Sequence, residues 1–201
     1  NKLQDNLAAM KKFDPLNWTT AKELYWKQLE LNISKVTNEL DRLEVQMKYA
    51  VGNDKIDLIN RQIGLLKRQK DEMKSSLNYL MSTREELKGK LSSHGFNFNY
   101  DGSISNLDSQ MQHLLDTSKD YEDVKEILDS YFDLLGKEIP DLENDILDLD
   151  NAIKDAQKEQ LETTKDVQDK IMDIIKKQVD ERIKLIEKER DKRLKALKEE
   201  Q

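Results

Sequence analysis

The densest run of potential metal ligands in this chain lies between Asn97 and Asp108. Asn97, Asn99, Asp101, Ser103 and Asp108 fall where a calcium-binding helix–loop–helix places its oxygen donors. Gly102 stands at the sharp turn and Ile104 just after it. A hard divalent cation takes about six to eight oxygens, and this spacing wraps a loop around one. Two positions depart from the pattern: the first ligand is Asn in place of Asp, and Asp108 replaces a Glu long enough to offer both oxygens. The same residues also read without a metal. Phe96, Phe98 and Tyr100 alternate with Asn97 and Asn99 and run into Asp101-Gly102, which predicts a short β-hairpin-like linker over residues 93–106. The alternation outweighs the ligand spacing, so the five oxygen donors form only a weak calcium candidate.

Little else could act chemically. His94 and His113 lie in a loop and on a helix, and neither sits in a motif with a nucleophile or a carboxylate partner. There is no cysteine, which excludes disulfides, thiol catalysis and thiolate metal sites. No glycine-rich phosphate loop and no HExxH motif occurs. The carboxylates of residues 138–150 lie on a periodic helix, where a charge run reads as a solvated face. The expectation is a protein that is not an enzyme and needs no cofactor.

The elements around this loop are all helical by pattern. Charged residues make up 37% of the chain and apolar residues 36%, with 6 Gly and 2 Pro, a composition of long helices and coiled coils. After a loop at 1–20, Trp26, Leu29, Ile33, Val36, Leu40, Leu43, Met47 and Ala50 recur in alternating steps of three and four. Gly52-Asn53-Asp54 interrupts them. Ile56, Ile59, Ile63, Leu66, Met73, Leu77, Leu80, Leu87 and Leu91 then resume in a new phase. Two segments of similar length joined by a turn predict an antiparallel coiled-coil hairpin over 21–92. A third helix is expected over 107–139, stopped by Gly136 and Pro140.

The last segment, 140–201, is a long charged helix. Leu142, Ile146, Leu149, Ile153, Ala156, Val167, Ile171, Ile175, Val179, Ile183, Ile186, Leu194 and Leu197 form its stripe. At 1.5 Å per residue the run from Leu142 to Leu197 is about 80 Å long, too long for a small domain to cover. Its steps lengthen from a seven-residue towards an eleven-residue repeat, so any supercoil relaxes along it. The fold class is therefore all-α, with the hairpin, the linker, a helix and a long coiled-coil helix. The apolar seams at 26–47, 59–80 and 146–186 are the expected self-association surface, which predicts a homo-oligomer. Trp18, Phe96, Phe98 and Tyr100 are the candidate partner contacts, because large aromatics concentrate in interfaces.

The net charge of −7 is unevenly spread. Residues 1–99 carry 17 basic and 13 acidic groups, residues 100–164 carry 5 and 18, and residues 165–201 carry 12 and 10. The acidic middle argues against nucleic acid along this segment. No apolar run reaches the ~20 residues that span a bilayer. The opening at Asn1 and the helical pattern running to Gln201 suggest a piece of a longer protein.

The block from Gly95 to Asn106, the helix after it, Ile139-Pro140-Asp141-Leu142-Glu143, and the Lys/Glu-rich helix through Glu187-Lys188-Glu189-Arg190-Asp191-Lys192 resemble segments of phage tail tape measure proteins from Gram-positive hosts. The resemblance covers residues 95–201; the first half is similar only as a heptad hairpin. It implies a long helical protein inside the virion tail, assembled in the bacterial cytoplasm, whose length sets that of the tail tube. Its implied partners are other copies of itself, the tail tube and tail assembly proteins. A folded-back hairpin fits a literal ruler less well than an extended rod. The alternative expectation is a coiled-coil adaptor that binds a protein partner through residues 92–106.

Overall fold

The computed structural model describes residues 20–117 and 120–199. The loop expected ahead of Thr20, with Trp18, lies outside the described residues, as does the side chain of Trp26. Five α-helices follow: α1 (Thr20–Met47), α2 (Gly52–Ser93), α3 (Leu107–Thr117), α4 (Tyr121–Asp133) and α5 (Ile139–Glu199), with a π-helical turn at Leu134–Glu138 between α4 and α5. The all-α expectation holds, and no strand occurs among the described residues.

The first two helices form the expected hairpin. The seam that began at Trp26 runs out at Met47, and Tyr49 N–H donates to Gln46 O (3.2 Å) to close the last turn. Gly52, with φ of 62°, takes the left-handed conformation that lets the chain reverse. Cross-contacts then fix the antiparallel register. Tyr25 stacks on Tyr79 with centroids 6.1 Å apart, Asn32 Nδ2 donates to Glu72 Oε1 (3.2 Å), and Arg61 meets Glu39 (3.9 Å).

The third long element is α4 and α5 together, running back along α2. Lys70 pairs with Asp150, and Lys55 Nζ lies 2.8 Å from Glu159 Oε1. The core sits between these three layers. Leu29, Ile33, Leu80, Leu87 and Leu91 meet Val124, Leu128, Tyr131, Leu134, Ile139 and Leu142 in its largest cluster. Nearer the hairpin turn, Ile59, Ile63 and Leu66 pack on Ile153 and Ala156, and Val36 and Leu43 pack on Leu65. The buried Ser and Thr hydroxyls are satisfied within their own helices: Ser76, Thr83 and Ser130 each donate to the carbonyl four residues back.

Three expectations need correction. The linker is not a β-hairpin: Phe98 and Ile104 form one isolated antiparallel bridge and nothing longer. Side chains bind the backbone on both sides of that bridge. Asn106 Nδ2 donates to Gly95 O (2.9 Å), Asn106 Oδ1 accepts from Asn97 N–H (2.7 Å), and the Tyr131 hydroxyl donates to Gly102 O (2.7 Å). The single helix expected over 107–139 is instead two, α3 and α4.

Nor do Gly136 and Pro140 stop the chain. Leu134 (φ −62°, ψ −47°) and Ile139 (φ −67°, ψ −51°) are both right-handed helical. Pro140 lacks an N–H and its ring crowds the preceding turn. The ladder widens there, and Ile139 N–H donates to Leu134 O, five residues back. One extra residue is absorbed, and the helix passes through.

Candidate functional site

Two surfaces could carry function: the loop at 94–106 and the free face of α5. The loop is a small, self-contained knot. Asn99 N–H donates to Ser103 O (2.8 Å), Gly102 N–H to Asn99 O (3.1 Å) and Ser105 N–H to Asn97 O (2.9 Å). The Asp101 carboxylate accepts from the Ser103 hydroxyl (2.6 Å) and the Ser103 N–H (2.9 Å). Those two bonds hold its carboxyl below the usual aspartate range. Asn99 Nδ2 donates to Ser103 Oγ (2.8 Å), so three of the five calcium-candidate residues spend polar atoms on one another. Asp108 lies in the first turn of α3. Among the described residues, no three His, Cys, Asp or Glu converge as a metal site would require.

The aromatic residues of the loop have separate environments. Phe96 is buried in the main cluster, beyond reach of a partner. Phe98 is half-buried, edge-on to the Tyr131 ring (5.3 Å), with Lys88 Nζ 5.5 Å from its centroid. Tyr100 alone points fully into water. It lines a shallow depression with Arg84, Glu85, Lys88, Asp101, Gly102, Tyr131 and Leu135. Burial pushes the Tyr131 phenol above its ordinary value, against the lowering effect of Arg84. Gly102 is required here. Its φ is 85°, and a Cβ would lie 3.0 Å from the Tyr131 hydroxyl. Sequence reasoning overlooked Tyr131 and Asn106 as the clasps of this loop, because each acts across 29 or 11 residues of chain.

The second surface is larger. The expected self-association seam splits into two kinds of residue. Leu29, Ile33, Val36, Leu43, Ile59, Ile63, Leu66, Leu80 and Ile153 are buried inside the single chain. Leu40, Met47, Met73, Leu77, Ile146 and Leu149 are half-buried against the same core. Ile171, Ile175, Val179, Ile183 and Ile186 are exposed, together with Met172, Ile174, Leu185 and Leu194. Every side chain from Gln168 to Lys195 faces solvent.

That stretch is a bare helix of about 42 Å, and nine of the exposed large apolar side chains lie on it. Isolated apolar residues on a surface are ordinary, while a continuous stripe marks an association site. Where the bare stretch leaves the bundle, Tyr49, Val51 and Leu161 are also exposed, a feature the periodicity did not suggest. No described helix is long and apolar enough to cross a membrane. No protein-family model, no curated protein and no solved structure matches the chain.

Proposed function

We propose that this chain is a structural coiled-coil segment without catalytic activity, in which a three-layer bundle holds out one amphipathic helix for association with other helices. The observation that carries this reading is the uncovered stripe of α5. Nine exposed Ile, Leu, Val and Met side chains lie between Ile171 and Leu194 on a helix with polar opposite faces. The bundle supports the same reading by gripping α5 from Ile139 to Ala156, where Ile139, Leu142, Ile153 and Ala156 are buried.

The resemblance of residues 95–201 gives the setting: a tape measure protein of a phage tail, lying within the tail tube and contacting tube and assembly proteins. In that setting the distal half of α5 is the part that adds length, because α1, α2 and the proximal half of α5 fold back on one another. The test is an in-frame deletion of residues 165–182 in the parent phage. That removes about five whole helical turns and keeps the stripe in phase. A segment that counts towards tail length shortens the tail by about 27 Å. Tails of unchanged length in electron micrographs rule the ruler role out.

A second reading rests on Tyr100, whose ring stands clear of the surface beside Arg84 and Lys88. As an adaptor, the chain would bind its partner through the tip of the 94–106 loop. Tyr100→Ala then abolishes capture of tail proteins in pull-downs and leaves tail length as it was.

A further inference from the structure

The centre of the exposed stripe of α5 reads the same in both directions. Ile171 and Ile183 stand equally far from residue 177, as do Ile175 and Val179, and Leu161 and Leu194 come within one residue of doing so. A second copy laid antiparallel against the first brings Ile171 level with Ile183 and Ile175 level with Val179, twice over. Ile171, Ile175, Val179 and Ile183 of each copy then meet apolar partners across the seam, while Met172, Ile174, Leu185 and Ile186 stand opposite Arg182, Asp180, Asp169 and Gln168.

Charge sets the direction. Residues 182–195 carry seven basic and three acidic groups, whereas residues 159–172 carry four acidic and two basic. Antiparallel pairing about residue 177 places each basic stretch beside the acidic stretch of the other copy. Parallel pairing stacks the basic stretches on each other.

A seat for the far end of the helix is present as well. Lys55 Nζ is 2.8 Å from Glu159 Oε1, so the α1–α2 turn lies level with the start of the free helix. Tyr49, Val51 and Leu161 are 84%, 77% and 72% exposed there, at the height that Leu194 of a second copy reaches.

We propose that two copies of this chain pair antiparallel through residues 161–194 of α5, each helix end resting beside the hairpin turn of the other copy. The pairing rests on the reading of distal α5 as an association element. It belongs to the free protein, since copies lying side by side along a tube all run one way.

The chain has no cysteine, so Ile171→Cys and Ile183→Cys each introduce a single thiol at an exposed site. In the antiparallel pair the two 171 positions are about 18 Å apart along the axis, while 171 of one copy is level with 183 of the other. The experiment combines light scattering of the whole chain over a range of concentrations with cross-linking by a short bismaleimide. The expected result is twice the mass of one chain, with efficient cross-linking in a mixture of the two variants and little in either alone. Ile175→Asp returns the chain to the mass of a monomer with the bundle's melting unchanged. A monomer at every concentration, a mass above two chains, or cross-linking within either single variant overturns the proposal. A monomeric chain whose 165–182 deletion still shortens tails defeats the antiparallel pair alone. A cross-linked dimer with unchanged tails defeats the ruler alone.

Discussion

From Ile139 to Ala156, α5 turns Ile139, Leu142, Ile153 and Ala156 onto α2 and buries them; from Ile171 to Leu194, the same helix turns Ile171, Ile175, Val179 and Ile183 into water. Both stretches are rich in charge, both are amphipathic, and no break in the helix separates them. They differ in what lies opposite. The proximal half faces an α2 whose own seam supplies Ile59, Ile63 and Leu66, whereas α2 begins at Gly52 and has nothing to offer beyond the level of Glu159. Periodicity states that a face is to be covered. The length of its neighbours decides whether the covering comes from within the chain.

The sharpest way to separate the halves is to cut the same kind of side chain from each. Leu142, 2% exposed, leaves a cavity when replaced by Ala. Leu142→Ala costs the bundle about 2–5 kcal/mol in a denaturant titration. Ile175, 47% exposed, is the control. Ile175→Ala changes bundle stability by less than about 0.5 kcal/mol when measured on dilute protein. An equal loss in both would mean that the distal half is covered in the single chain.

A smaller effect is expected at the loop. Gly102→Ala forces a side chain into a left-handed conformation and against Tyr131 and Leu135. The cost is about 1–2 kcal/mol in thermal melts. Tyr131→Phe removes one hydrogen bond to Gly102 O and costs about 1 kcal/mol. Its signature is faster amide exchange of the Gly102 and Ser103 N–H groups with the rest of the bundle unchanged. Both changes weaken the bundle end of the molecule and leave association through distal α5 intact.

The smallest effect is a pH dependence. The hydrogen bond from Lys70 holds the Asp150 carboxyl below its ordinary value. A carboxylate lowered on folding contributes stability above its unfolded value of about 3.9, and that contribution is lost as pH falls through the lower folded value. Lys70→Gln removes it, so wild type and variant converge in stability below that window and separate above it. Glu138 has the opposite sign. Burial raises its carboxyl, so Glu138→Gln increases stability at neutral pH, where the charged form is penalised.

The helical hairpin was legible because Leu29, Ile33, Val36 and Leu43 on one side, and Ile59, Ile63 and Leu66 on the other, repeat at a spacing that only a helix turns into a face. Gly136 and Pro140 misled for a physical reason. Stop signals are local, and the π turn that carries the helix through them is stabilised by the burial of Leu134 and Ile139 on α2. The Asp101-Gly102 turn does form, yet the strands around it stop at the Phe98–Ile104 bridge, since the Asn106 side chain takes the Asn97 N–H and Gly95 O. Of the candidate partner aromatics, Phe96 proved to be core and Tyr100 surface; alternation assigns both to one side, and the turn that starts at Asn99 carries Tyr100 off it. The seams carried no label either, so whether Ile153 and Ile175 meet their own chain or another could not be read from spacing.

The bare stretch of α5 is also a lever. The last buried residues at its root are Ile153 and Ala156, and about 42 Å of stiff helix extends beyond Gln168. Each degree of tilt at the root displaces the far end by about 0.7 Å over that reach. A repacking at Ile153 too slight to change the melting temperature would therefore move Leu194 by several ångströms. Small errors at the fulcrum are magnified at the tip, and small forces at the tip are magnified at the fulcrum.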